Sequence, residues 1–308
     1  MNHVRSSLGI VLVTAISMVA LFIHAQAAAP EAPEIGMISE EPVREQARNF
    51  VIPRLAAQAV YLFDPTTDKL LYAERSNVPL PLASLTKIMT AVIATESHEP
   101  SLILPMYDGD RSQSWTLQQV LKRMLVTSSN SAAEVVAALP LQTKNSVLEN
   151  QQAFIQAMNE KARVLGLSQT QFKNSTGLDL TSNLAGASGT AEDVAALLWY
   201  GYREHPELFS DTQLRSITLH AVSGAPFELH NTNSIVEKLP TVLASKTGLT
   251  DLAGGNLAAV VDVGINHPVV AVILGSTASG RFHDMEKLIR STLSFFASDL
   301  YTARLSAQ

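Results

Sequence analysis

Strand-like runs lie near both ends of this chain and breaker-free helical stretches fill its middle, an order that constrains the fold more than any other feature. Residues 57–63 and 69–73 are short apolar runs flanking Asp64-Pro65-Thr66-Thr67-Asp68, which reads as a β-hairpin. Residues 84–96 contain no helix breaker. Leu117, Val120, Leu121, Met124 and Leu125 repeat at the i, i+3, i+4, i+7 spacing of one helix face. Phe154, Ile155, Met158, Ala162 and Leu165 make a second stripe, stopped by Gly166. Thr116 with Gln119, and Ser131 with Glu134, fit the capping box that satisfies free N–H groups at a helix start. Thr190 with Asp193 opens a further helix to about Arg203. Strand-like runs return at 241–245, 257–263 and 269–274, the last two joined by residues 264–268, and residues 281–300 read as a closing helix. The expectation is an α+β fold, with an antiparallel sheet built from both chain ends and a helical block inserted between them. Alternating βαβ units fit this order less well.

The first 27 residues read as an export signal. Arg5 gives a positive start, residues 8–23 are uncharged and apolar, and Ala25-Gln26-Ala27 places small residues at both cleavage-specifying positions. The apolar stretch is shorter than the roughly 20 residues that span a bilayer, so no stable membrane anchor is expected after cleavage. Residues 28–53 hold four prolines and five glutamates and read as a flexible arm. With 308 residues, 46% of them hydrophobic, the chain can bury a large core without help. It has no cysteine, which excludes disulfides, thiolate chemistry and cysteine-ligated zinc. A formal charge of -6 and the lack of any Lys/Arg run disfavour nucleic acid as a partner. No cofactor or metal is called for.

Chemistry concentrates in three short segments. In Pro81-Leu82-Ala83-Ser84-Leu85-Thr86-Lys87, positions 84 and 87 share a helix face, so a lysine amine would lie beside a serine hydroxyl. A serine needs such a base to act as a nucleophile, and a lysine serves as one only if burial or a nearby cation lowers its pKa. Ser84 in a first helical turn would also aim free backbone N–H groups at an oxyanion. Taken alone, the spacing is common, and a solvated serine and lysine would be its ordinary meaning. Ser128-Ser129-Asn130 forms a polar connection between two helices, a position that Ser and Asn favour in any case. Lys246-Thr247-Gly248 ends a β-rich run, where a lysine and a hydroxyl can meet a carboxylate while glycine admits a close backbone.

In this order, Ser-x-x-Lys, Ser-x-Asn and Lys-Thr-Gly are the signature of penicillin-recognising serine enzymes. The chain resembles the low-molecular-mass penicillin-binding proteins, the D-alanyl-D-alanine carboxypeptidase and endopeptidase group. Asn174-Ser175-Thr176-Gly177-Leu178, Thr190-Ala191-Glu192-Asp193-Val194 and Asn231-Thr232-Asn233 also look like family segments, and the resemblance runs from about residue 56 to 300. It implies a β-lactamase/transpeptidase-like fold for a single peptidase domain over residues 54–303, with no C-terminal second domain. It also implies roles. Ser84 would be acylated by a D-alanyl carbonyl and Lys87 would take its proton. Ser128 would relay a proton to the leaving amine, and Asn130 would hold the substrate amide. Lys246 and Thr247 would bind the substrate's anionic end, with Gly248 beside them and Arg281 near the carboxylate. The backbone N–H groups of Ser84 and Leu249 would form the oxyanion hole. Implied partners are peptidoglycan stem peptides, with β-lactams as covalent inhibitors, in the periplasm or wall space. Ser129 departs from the glycine common at that position.

Five other readings stand beside it. The same residues would serve an endopeptidase that cuts peptide cross-links. A class A β-lactamase needs an added Glu to activate water, and Glu160 is the only glutamate between Glu149 and Gly189. A Ser-His-Asp hydrolase or a zinc hydrolase would show Gly-x-Ser-x-Gly or His-Glu-x-x-His, and the sequence has neither. An inactive wall-binding or penicillin-sensing module would keep the fold alone.

Overall fold

The computed structural model describes residues 50, 54–108, 111–141, 146–264 and 266–306. The expected signal and most of the expected arm lie outside them. Phe50, at the end of that arm, is buried against Tyr72 and Phe295, with ring centroids 6.4 and 5.3 Å away.

The central sheet has five antiparallel strands. In spatial order they are β10 (Val242–Thr250), β11 (Gly254–Asp262), β12 (Pro268–Ser276), β1 (Ala59–Asp64) and β2 (Lys69–Glu74). Both chain ends therefore supply it, as the sequence order implied. β1 and β12 join the two contributions in a register that pairs Ala59 with Leu274 and Phe63 with Val270. Every residue of β1 is buried, because the sheet is covered on both faces. Side chains alternate between those faces: Ala59, Tyr61 and Phe63 enter one core, Val60 and Leu62 the other.

One core is shared with the inserted helices. α1 (Thr86–Ser97) is buried from Thr86 to Ala94, which suits a helix at the centre of the block. Around it lie α2 (Leu117–Thr127), α3 (Asn130–Ala137), α4 (Val147–Val164), α5 (Ala191–Glu204) and the short α6 (Pro206–Phe209). Thr116 and Gln119 form the expected capping box, and Thr190 caps α5 through the Asp193 N–H. A further box, Ser146 with Glu149, starts α4. The other core is closed by α7 (Gly280–Ser306), through Met285, Leu288 and Ile289, and by Ile235, Val236 and Leu239.

The structure differs from the sequence expectations at three places. α3 begins at Asn130 with Ser129 as its cap, so Ser131 lies inside the helix and does not open a capping box with Glu134. Ser128 ends α2 in a left-handed conformation at φ 59°. The Lys246-Thr247-Gly248 segment lies inside β10 and not at its end, since pairing with β11 continues through Lys246–Ala258 and Gly248–Asn256. Finally, two ribbons appear that hydropathy did not mark: β4 (Ile103–Asp108) with β5 (Arg111–Thr116), and β8 (Ser216–His220) with β9 (Pro226–His230). Trp115 and Phe227 lock them together edge to face at 4.9 Å. The small β3 (Leu80–Pro81), β6 (Gln171–Phe172) and β7 (Ala187–Gly189) make a separate three-stranded sheet.

Candidate active site

Ser84 lies in a single 3₁₀ turn, Ala83–Leu85, that leads directly into α1. Ala83 holds φ 49°, a conformation that costs an L-residue energy and persists only when its surroundings enforce it. Three contacts enforce it here. The Thr86 hydroxyl donates to the Ala83 carbonyl at 2.7 Å. Asn256, fully buried in β11, donates to the Pro81 and Leu82 carbonyls at 3.0 and 3.1 Å while accepting from Gly275 N–H at 2.8 Å. Gly177 packs so closely that a Cβ there would stand 1.8 Å from the Ala83 carbonyl oxygen. The Ser84 turn is thus pinned to the sheet on one side and to a loop on the other.

Lys87 follows one turn later, and its side chain is completely buried. Its Nζ stands 2.9 Å from Ser84 Oγ, 2.7 Å from Asn130 Oδ1 and 2.7 Å from the Thr176 carbonyl. Burial lowers its pKa to about 7, against a smaller upward pull from Glu134. Near neutral pH a large fraction of Lys87 is therefore an uncharged amine. Such an amine donates two N–H groups and accepts one, which matches two carbonyl-type acceptors and one serine hydroxyl.

The opposite wall comes from the α2–α3 connection and β10. Lys246 Nζ donates to Ser128 Oγ at 2.8 Å and to the Thr247 carbonyl at 2.9 Å. Burial holds the Lys246 pKa well below the usual lysine range, helped by the charges of Lys87 and Arg281. The hydroxyls of Thr247 and Thr232 are 2.7 Å apart, and Thr232 N–H donates to the Val126 carbonyl at 3.0 Å. Arg281, at the start of α7, donates from Nη1 to the Gly248 carbonyl and fixes the motif from behind. Gly248 is needed as glycine, since a Cβ would approach the Leu82 carbonyl oxygen to 2.9 Å. The Leu249 side chain is half exposed beside it. Ser129, the departure from glycine, turns its hydroxyl to the Ala132 N–H and caps α3.

All nine residues singled out in the sequence therefore belong to one constellation, directly or through a neighbour. Sequence reasoning assigned no role to Thr176, Thr232 or Asn256. The first two sit in segments flagged by resemblance, whereas nothing local marks Asn256. A half-buried serine beside a buried amine, with a second buried lysine nearby, is a constellation suited to acyl transfer to serine.

Comparison with known proteins agrees. The family described as D-alanyl-D-alanine carboxypeptidase matches residues 45–278. The chain belongs to that family. It is a serine hydrolase of the D-alanyl-D-alanine peptidase class, whose members act on cell-wall peptidoglycan outside the cytoplasm. A D-alanyl-D-alanine endopeptidase of Pseudomonas aeruginosa is 30% identical over 233 residues, 71% of each chain. The carboxypeptidase DacF of Bacillus subtilis is 30% identical over 251 residues, 76% of this chain and 61% of that protein. Among solved structures, penicillin-binding protein D2 from Listeria monocytogenes in its ampicillin-bound form is 26% identical with a TM-score of 0.65. The match covers 78% of this chain and 99% of that one. The Streptomyces K15 DD-transpeptidase shares the fold at a TM-score of 0.71 and 20% identity, over 80% and 99% of the two chains. The family's α+β, β-lactamase-like architecture is the one described above.

Proposed function

We propose that this chain is an exported D-alanyl-D-alanine carboxypeptidase that removes the terminal D-alanine of peptidoglycan stem peptides through an acyl-enzyme on Ser84. One observation carries the reading: the buried Lys87 amine lies 2.9 Å from Ser84 Oγ with both its N–H groups engaged elsewhere. Ser84 Oγ attacks the penultimate D-alanyl carbonyl carbon as its proton passes to Lys87 Nζ. Backbone N–H groups of Ser84 and Leu249 receive the oxyanion. The C–N bond then breaks, and Ser128, linked to Lys246, delivers a proton to the departing D-alanine nitrogen. Asn130 holds the substrate amide. Lys246, Thr247 and the charge of Arg281 favour the terminal carboxylate, and a charged Lys246 keeps one N–H direction beyond its two protein acceptors. Water releases the acyl group and frees Ser84.

By the same chemistry β-lactams acylate Ser84, a reading supported by the ampicillin- and cefotaxime-bound forms of the Listeria protein. Efficient β-lactamase action is disfavoured because Glu160 is exposed on α4 and paired with Arg163. The positive start, apolar stretch and Ala25-Gln26-Ala27 carry the export reading. No helix among the described residues is long and apolar enough to cross a membrane.

The test is intact mass after incubation with penicillin. Wild type gains one adduct and Ser84→Ala gains none; an unmodified wild-type mass rejects the reading. Cleavage of cross-links is the second reading, favoured because the match covers 71% and 72% of two endopeptidases but 61% and 62% of two carboxypeptidases. Incubation with a D-Ala-D-Ala-terminated peptide and with cross-linked muropeptides separates the two by product.

A further inference from the structure

For Lys87 to accept a proton, its lone pair must point at Ser84. The two acceptors that take its N–H groups decide that direction. Asn130 belongs to a recognised motif, but the Thr176 carbonyl belongs to the loop between β6 and β7, which carries no motif of the reaction. That loop is organised around one side chain. Asn174 Oδ1 accepts from Thr176 N–H at 3.2 Å, from the Thr176 hydroxyl at 3.2 Å and from Gly177 N–H at 2.7 Å. Its Nδ2 donates to the Leu178 carbonyl at 2.9 Å. The loop base closes on the Gly186 carbonyl, which accepts from the N–H groups of Lys173 and Asn174. The Thr90 hydroxyl of α1 holds the Ser175 carbonyl at 2.7 Å, and Gly177 lies against Ala83. Three of the four bonds of the Asn174 side chain are thus spent on holding Thr176 and Gly177 beside the Ser84 turn.

We propose that Asn174 is a positioning residue for Lys87: it sets the Thr176 carbonyl, and through it the direction of the Lys87 lone pair and the exclusion of water around that amine. The inference rests on Lys87 being the base. Other charges act on Lys87 from different elements. Glu134 on α3 pulls its pKa up, and Lys246 on β10 faces it with Arg281 of α7 behind. Asp179, in the same loop, is occupied by the Thr250 hydroxyl and the Leu252 N–H. None of these contacts Asn174.

Two substitutions separate positioning from packing, each read as the rate of penicillin acylation across pH. Asn174→Ala removes the acceptor for three donors. Its high-pH plateau should fall by on the order of 100-fold, as expected for a displaced catalytic group. Asn174→Asp keeps an acceptor oxygen in place, so its plateau should return to near the wild-type rate. Its added charge should move the midpoint upward by about one pH unit. A plateau in Asn174→Asp as low as in Asn174→Ala overturns the proposal, and so do wild-type midpoints and plateaus in both variants. If Asn174→Ala does not fold, the midpoint and plateau of Asn174→Asp decide alone. Wild type and Lys87→Ala run alongside: an unacylated wild type, or a Lys87→Ala variant with normal rates, defeats the underlying reading of the base. Normal controls with unchanged Asn174 variants defeat this inference only.

Discussion

The two faces of the central sheet are built from alternating residues of the same strands, yet they do different things. The face under α7 buries Val60, Leu62, Leu257, Ile273, Met285 and Leu288, with hydrocarbon meeting hydrocarbon. The face under the helical block buries a larger apolar cluster, and at its β10 edge it also encloses Lys87 and Lys246 at 0 and 1% exposure. Burying a methyl group stabilises the fold; burying an ammonium group costs stability unless the group is neutralised or hydrogen-bonded. Lys87 answers that cost with a lowered pKa and three partners, and the lowered pKa suits the base role proposed for it. One face therefore holds the molecule together, and the edge of the other spends part of that stability on a reactive amine.

The largest expected effect is on acylation by the reactive edge. Lys87→Ala should slow penicillin acylation by about 10²- to 10⁴-fold, the usual contribution of a positioned acid–base group, without a fall in thermal stability. Leu288→Ala on the α7 face should do the reverse. It should lose about 2–5 kcal/mol in urea unfolding while the folded fraction still acylates at the wild-type rate. Equal losses of stability from both substitutions would collapse the distinction between the faces.

Removal of Lys246 comes next. Lys246→Ala should lower kcat/KM for a D-Ala-D-Ala-terminated peptide by about 10- to 100-fold, the range for losing hydrogen bonds to a charged group. Steady-state kinetics on peptides with and without a free carboxylate check whether the loss follows the anionic end.

A pH series sharpens the comparison. Because Lys87 must be uncharged to take the Ser84 proton, acylation should rise through a midpoint of about 7 and then level. The stability linkage has the matching sign. The folded pKa lies below the unfolded value, so the unfolded chain binds the extra proton between about 7 and the ordinary lysine range, and stability rises with pH across that window. The full cost of burial is felt below pH 7. Lys87→Met should flatten that part of the stability curve, as urea midpoints measured across pH would reveal.

The smallest expected effect is at Ser129. Its hydroxyl caps α3 and faces away from the reactants, so Ser129→Gly should cost only a few tenths of a kcal/mol and leave acylation unchanged. An acylation rate altered severalfold would place Ser129 in the reactive edge after all.

Much of this was legible before any coordinates. Ser84 and Lys87 are one helical turn apart, and Ser128 to Asn130 form one interhelical connection, so their local geometry follows from spacing. Four of the five strands of the central sheet are legible because they are largely buried, and burial demands apolar runs. The β4–β5 and β8–β9 ribbons are not, since strands such as Arg111–Thr116 are polar and owe their place to Trp115 meeting Phe227 across more than 100 residues. Asn256 reads as an ordinary polar residue in a strand until its amide is seen holding the Leu82 carbonyl, 174 positions away.

By itself, the sequence determined the starts of α2 and α5, most of the strand-forming runs, the spacing of Ser84 and Lys87, and the class of chemistry those residues share with their family. The tertiary structure decided what Lys87 is. Its contacts with Asn130 and Thr176 span 43 and 89 positions, and the burial that comes with that long-range packing lowers an ordinary lysine's pKa to about 7. A pKa depends on the field and solvent around a group, and neither exists until the chain has folded back on itself.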